Sequence, residues 1–254
     1  MFACCLNNSA NMHDPIGEHT FLVILGGLTV KELAVAAILR AGCRDCGVLL
    51  MIIKKIKVQN HGYVYCKSGF YTAADGLSEN SVYTFTTGIN KLYGEIDSEI
   101  WAVSYLLSMY THRPEDFILF NEPKVSVNDK IMSLSELAEY SCYMDKIYPL
   151  FSTDVSVKDL VIQGIEKSKK NITYMDIKNI FDLDDQRFER PLSCVGNEVF
   201  RAMAAVGISH NKEIFCFPWL SYTRYKGYHK NLWGLMDILK SLDKIAIVPV
   251  GKKD

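Results

Sequence analysis

Three stretches of this sequence carry side chains whose types and spacing suggest chemistry. Gly94-Glu95-Ile96-Asp97-Ser98-Glu99-Ile100-Trp101 sets three acids at alternate positions after a glycine. Carboxylates are hard oxygen ligands for divalent cations, but alternating acids between a strand and a helix are also an ordinary solvated turn. Cys43-Arg44-Asp45-Cys46 has the C-x-x-C spacing of zinc or redox chemistry, with Cys4, Cys5, His13 and His19 as the nearby candidates for a second pair. Neither set is complete enough to predict a metal. Phe215, Phe217, Trp219, Tyr222, Tyr225, Tyr228 and Trp233 are interleaved with Arg224, Lys226 and Lys230. That mixture serves core and partner packing more readily than base stacking. The histidines are scattered, so nucleophilic catalysis has no anchor.

The elements that must position these residues follow from hydrophobic period. From Met51, IIKKIKVQNHGYVYC alternates apolar and polar residues as a strand opening a domain. Val82, Phe85 and Ile89 continue as β-structure until Gly94, and IWAVSYLLSMY then has helical spacing, giving strand, glycine turn and helix. Phe117 to Phe120 and Val125 to Val127 read as strands on either side of a turn at 121–123. Ser133 and Glu136 form a capping box, and VKDLVIQGIEKSKK and YMDIKNIFDL are amphipathic helices. The final third alternates: helix from Val195 to Ile208, buried strand Ile214 to Phe217, helix from Leu232 to Leu242, buried strand Ile245 to Val248. Continuous apolar strands separated by helices predict an α/β fold with a parallel sheet covered on both faces.

Composition narrows the partners. The chain has 254 residues with 28 Lys+Arg against 29 Asp+Glu, a net charge of -1, so total charge calls for neither nucleic acid nor an anionic membrane. A polyanion partner has to come from a local patch. Cys66, Cys142, Cys194 and Cys216 are singletons in apolar surroundings, a pattern of buried thiols in a reducing compartment. The apolar run Phe21 to Leu39 is interrupted by Lys31 and Glu32, each costing about 2.5–3.5 kcal/mol inside a bilayer. Asp14 and Glu18 precede it where a signal peptide carries positive charge. The expectation is a cytoplasmic protein whose residues 1–50 are an extension and whose folded unit is 51–254.

In this order the elements from Met51 to Val250 resemble the nucleotide-binding subunits of ATP-binding cassette (ABC) transporters. In that family the strand-to-helix loop reads G-x-x-x-x-G-K-[ST] and cradles phosphates and magnesium. Here only Gly94 survives: Glu99 stands at the second glycine, Ile100 at the lysine and Trp101 at the hydroxyl. Glu95, Asp97 and Ser98 fill the loop, and a carboxylate about 4 Å from a phosphate charge costs roughly 4 kcal/mol at an effective dielectric near 20. SCYMDKIYPLF is similar to the family's glutamine loop, with Lys146 at the glutamine, and the helix start after it resembles the opening of the family's helical subdomain, about 133–200 here. RPLSCVGNEVF resembles the LSGGQ signature: Leu192 and Ser193 are kept, while Cys194, Val195 and Gly196 replace its last three residues. Ile214 to Phe217 falls on the Walker B strand, followed by Pro218 at the metal-associated acid and Trp219 at the catalytic one. Proline has no side-chain donor or acceptor and an indole is no proton acceptor. Pro249 or Val250 stands where the switch histidine belongs.

The resemblance implies a P-loop NTPase-like core with a mainly parallel sheet, an antiparallel β edge and a small helical subdomain. It implies a degenerate subunit without catalytic residues of its own, paired with an active ATPase sister subunit and a membrane permease. Any ATP and magnesium would be held by the partner, with Ser193 and Gly196 facing it. A reading of a different class is a scaffold reusing the fold, with its surface around Trp219 to Trp233.

Overall fold

The computed structural model describes residues 51–59, 64–67, 72–73, 81–96, 99–112, 117–119, 122–145, 151–227 and 229–252. The expected extension over residues 1–50, with its C-x-x-C, lies outside them. Strand β1 (Lys55–Gln59) buries Ile56 and Val58 and turns Lys55, Lys57 and Gln59 outward, the alternation of a half-covered strand. Short strands β2 (Val64–Lys67) and β3 (Thr72–Ala73) follow, then β4 (Val82–Thr86). β1 pairs antiparallel with β4 on one side and with β7 (Lys124–Val127) on the other, and β7 turns into β8 (Lys130–Met132). Asn128 and Asp129 make that turn with φ of 49° and 65°, the left-handed pair that a two-residue hairpin favours. The Asn128 amide also binds the lead-in to β1, with Oδ1 accepting from the Lys54 and Lys55 N–H and Nδ2 donating to the Ile52 carbonyl. β6 (Phe117–Leu119) pairs with β2 in a separate three-stranded sheet.

Val82, Phe85 and Ile89 do not share one strand. Gly88, with φ of +96°, turns the chain between β4 and β5 (Gly88–Tyr93), a conformation that favours glycine. β4 remains in the antiparallel sheet while β5 enters a parallel one, ordered β5, β11 (Ile245–Val250), β10 (Ile214–Cys216), β9 (Ser141–Tyr143). Every residue of β9, β10 and β11 is buried, as expected of a sheet covered on both faces. On one face Ile214, Cys216, Ile245 and Ile247 pack with helix α1 (Glu99–Met109) and β1; on the other, Phe215, Phe217, Ala246 and Val248 meet the remaining helices.

Helix α2 (Leu134–Glu139) carries the expected capping box, Ser133 Oγ accepting from the Glu136 N–H and Glu136 accepting from the Ser133 N–H. Thus α2 and β9, although within the stretch 133–200 read as helical, join the sheet layers. The helical group proper is α3 (Val157–Ser168), α4 (Tyr174–Ile180) and α5 (Asp185–Phe188), started by Ser156, Thr173 and Asp184 caps. Helix α6 begins at Val199, not Val195, because two 3-10 turns, Leu192–Cys194 and Gly196–Glu198, precede it, and it runs to Ser209. Helices α7 (Tyr222–Gly227) and α8 (His229–Ser241) lead to β11. No helix among the described residues is long and apolar enough to cross a membrane.

α3 approaches α6 at Gly164, where an added Cβ would lie 2.2 Å from Ser209 Oγ and 2.5 Å from His210 Cδ2. Ser209 is buried and its Oγ donates to the Val206 carbonyl, so it has little room to yield. Gly164→Ala is therefore expected to destabilise the chain by about 1–3 kcal/mol. A urea midpoint unchanged from that of the parent would show that the two helices can separate freely.

Candidate functional site

Parallel α/β sheets bind ligands beyond the carboxyl ends of their strands, and three of the sequence-predicted segments converge there. Gly94 follows β5 and donates its N–H to the Val250 carbonyl at 3.1 Å. Phe217 extends β10 by donating to the Ile247 carbonyl at 2.9 Å, and Leu220 donates to the Pro249 carbonyl at 3.0 Å. Gly251 returns a bond to the Leu220 carbonyl at 2.8 Å. Between these strand ends lies Trp219. Its indole Nε1 donates to the Gly94 carbonyl at 3.0 Å, and its ring packs so closely on Gly251 that a Cβ there would lie 2.9 Å from Trp219 Cζ2.

The start of α1 does not face a ligand. Ile100 is 6% exposed and Trp101 is 0% exposed. Trp101 stacks on Tyr105 with ring centroids 5.2 Å apart and donates its indole N–H to the Tyr143 hydroxyl at 3.2 Å. Ser104, one turn along, donates to the Phe217 carbonyl at 2.6 Å and fastens α1 to the end of β10. Glu95 and Ile96 are exposed; Asp97 and Ser98, and the side chain of Glu99, lie outside the described residues. Lys146 also lies outside them. Pro218 and Phe217 are buried, Phe217 against Phe200 with ring centroids 5.5 Å apart.

The Leu192 to Gly196 segment occupies a different place, at the joint between the helical group and α6. Leu192 and Val195 are buried while Ser193, Cys194 and Gly196 are exposed, Gly196 with φ of +68°. The Leu192 and Ser193 N–H groups donate to the carbonyls of Val155 and Thr153, at 3.2 Å and 3.1 Å, which holds the exposed hydroxyl on a fixed backbone. Beside it lies a polar recess of about 320 Å³ lined by Asp184, Gln186, Arg187, Arg190 and Glu198, in which Arg187 pairs with Glu198 at 2.9 Å. Sequence reasoning missed this recess, because its residues come from α5 and the 3-10 turn before α6, which the Arg187–Glu198 pair brings together.

The thiols divide by burial. Cys142 and Cys216 are buried as expected, and burial pushes both thiols up to about 12, so neither is a nucleophile near neutrality. Cys194 departs from the expectation of buried thiols: it is exposed, because the 3-10 turn directs Leu192 inward in its stead. Among the described residues no group of three His, Cys, Asp or Glu is placed to hold a metal ion.

The aromatic run divides as well. Phe215 and Phe217 are interior, whereas Tyr225 and Trp233 face the Lys91 ammonium, 5.3 Å and 5.0 Å from their ring centroids. A hydrogen bond with Tyr225 holds Lys91 above the usual lysine value. Among the described residues of the run, Trp219, Tyr222, Tyr225 and Trp233 are half-buried.

No protein-family model and no curated protein matches the sequence. Solved structures match its fold. A putative ABC transporter ATP-binding protein from Pyrococcus furiosus overlays with a TM-score of 0.52 at 14% identity, covering 79% of this chain and 92% of that one. The fold is that of an ABC ATP-binding cassette. The cassette cbiO1 from Clostridium perfringens, part of the transporter complex cbiONQ, overlays with a TM-score of 0.50 at 13% identity, covering 80% and 79% of the two chains. The ATP-binding cassette MJ0796, dimeric and bound to ADP and Pi in a post-hydrolysis state, gives 0.51 at 12% identity, covering 78% and 88%.

At the start of α1 Ile100 and Trp101 are buried, and at the end of β10 the Trp219 indole is engaged with the Gly94 carbonyl.

Proposed function

We propose that this chain is a non-hydrolysing cassette subunit that pairs with an intact ABC ATPase subunit and joins it to a membrane permease. The observation that carries the reading is the Trp219 indole bonded to Gly94, which ties the ends of β5 and β10 together where hydrolysis requires an open phosphate site. A chain that keeps the cassette fold with this closure has use for the fold's surfaces rather than for its chemistry. Two of the neighbouring structures are, by their descriptions, a dimer and a component of a transporter complex. The exposed Ser193 hydroxyl and the Gly196 backbone are the groups this chain offers to ATP held by a partner. The scaffold reading keeps half-buried Tyr222, Tyr225 and Trp233 and exposed Arg224 and Lys226 at its surface, although Trp219 is engaged with Gly94.

The deciding experiment is to tag the C-terminus, solubilise membranes gently and identify the co-purifying chains by mass spectrometry. A polytopic permease together with an intact cassette subunit is the expected result. Recovery from the soluble fraction with neither would overturn the proposal. In the reconstituted pair, Ser193→Ala is expected to lower the partner's ATPase rate about tenfold, the scale of one lost hydrogen bond to a charged group. An unchanged rate would remove Ser193 from the site.

A further inference from the structure

The outer face of the antiparallel sheet is unused by the reading above, and its side chains form a consistent set. Lys55, Lys57 and Gln59 point outward from β1; beside them stand Thr86, Thr84 and Val82 of β4, and Ser126 and Lys124 of β7, with Ile131 of β8 next to Ser126. Lys57, Lys124, Thr84 and Thr86 are exposed. So are two aliphatic side chains at the rim, Ile131 at 88% and Val82 at 50%. Lys55 pairs with Asp129 at the hairpin turn, 2.8 Å away, whereas among the described residues no acid pairs with Lys57 or Lys124. In a chain of net charge -1 this is a local cationic surface, four strands wide and lined with hydroxyl groups.

The composition selects among polyanions. Single-stranded nucleic acid is held by stacking on aromatic side chains, and among the described residues this face presents none. Duplexes are read by an element that enters a groove, usually with arginine, and here a sheet presents, among the described residues, lysine as its only cation. Protein interfaces are enriched in aromatics and arginine and depleted in lysine. Lysines on a broad surface with solvent-exposed aliphatic side chains at the rim match an anionic bilayer: the ammonium groups meet lipid phosphates and carboxylates, and the aliphatic groups enter the headgroup boundary. We propose that the outer face of this sheet, centred on Lys57 and Lys124 and rimmed by Val82 and Ile131, docks the chain on an anionic lipid bilayer. This contact requires no permease and stands or falls separately from the subunit proposal.

The test is co-sedimentation of the purified full chain with vesicles, either pure phosphatidylcholine or phosphatidylcholine with about one third phosphatidylserine. Binding is expected only to the anionic vesicles, and it should vanish near ~1 M salt, where the screening length falls to about 3 Å. Each lysine at such a surface changes partitioning about fivefold, so Lys57→Glu with Lys124→Glu should weaken binding at least ~25-fold. Both positions are exposed, and an unchanged circular dichroism spectrum and melt will show that the variant is folded. Ile131→Ser should weaken binding several-fold without altering its salt dependence. Equal binding to neutral vesicles, binding retained in the lysine variant, no binding at all, or displacement by an RNA oligonucleotide at equal phosphate concentration would each overturn the proposal.

Discussion

Placing a lysine and a hydroxyl at the start of α1, as Ile100→Lys with Trp101→Ser, is expected to unfold the chain rather than to confer Mg-ATP binding. The helix start has been taken over by the core. Trp101 is 0% exposed, stacked on Tyr105 and hydrogen-bonded to the Tyr143 hydroxyl, which itself lies buried edge-on to Tyr105. Removing a buried tryptophan costs about 3–5 kcal/mol, and the phenol left behind without its donor adds about 1–3 kcal/mol. A lysine at Ile100, 6% exposed, must either desolvate its ammonium or give up its proton, at several kcal/mol more. Together these approach the whole stability of a typical domain, about 5–15 kcal/mol. A urea titration of the double variant should show no cooperative transition at neutral pH, and calorimetry with Mg-ATP should show no binding to it or to the parent. Trp101→Phe, which keeps the stack but loses the N–H, should remain folded. A stable double variant that binds Mg-ATP would mean that this helix start is an open site, and the closed-loop reading would fall.

How much of this was legible in the sequence depended on what made each element. Ile214 to Phe217 and Ile245 to Val248 could be read as interior strands because residues buried on both faces are apolar without interruption, and the structure buries every one of them. The Ser133–Glu136 box could be read because capping is local. Gly88 was passed over: one residue at φ +96° reassigns half of a seemingly continuous strand to another sheet, and no period reports a positive φ. Ser141–Tyr143 has only three residues, too few to show a period, and its place beside β10 is set by long-range packing. The burial of Ile100 and Trp101 at the start of α1 follows from the apolar run they open. That the Trp219 indole would bond to the Gly94 carbonyl, 125 positions earlier in the chain, was not legible, because only the parallel pairing of β5, β11 and β10 brings those strand ends together.

The second large effect lies at the opposite edge of the same sheet. Glu213 and Lys244 form an ion pair at the start of β10 and β11, each side chain 11% exposed. Around it Lys170 donates to the Ile208 carbonyl at the end of α6, and Lys212 to the Glu139 carbonyl at the end of α2 at 2.7 Å. His210 Nε2 lies 3.1 Å from the Leu160 carbonyl. Cations suit the C-terminal ends of helices, but burial works against them here. Burial, then the Lys244 charge, brings Lys170 down to about 7 while Glu213 acts to raise it; burial likewise lowers Lys212 and His210. Glu213→Gln removes the carboxylate from a buried pair and should cost about 3–5 kcal/mol at pH 7. The loss should shrink as pH rises, because Lys170, whose proton the Glu213 charge helps to hold, can shed it. In the parent, Lys170 binds its proton more weakly when folded than when unfolded, where its value is the ordinary 10.5. From pH 7 to 10.5 the unfolded chain therefore holds more protons at this site, and stability rises with pH. Cys142 and Cys216 act the other way. Unfolded, they ionise from pH 9; folded, they hold their protons to about 12. Urea midpoints should thus climb from pH 7 to 9, level off as the thiols oppose the lysines, and fall above 10.5. Lys170→Met should flatten the climb, and Glu213→Gln should steepen it. Midpoints that do not change between pH 7 and 9 in the parent, or a Glu213→Gln loss within about 1 kcal/mol, below the range for a broken buried pair, would mean that water reaches these lysines.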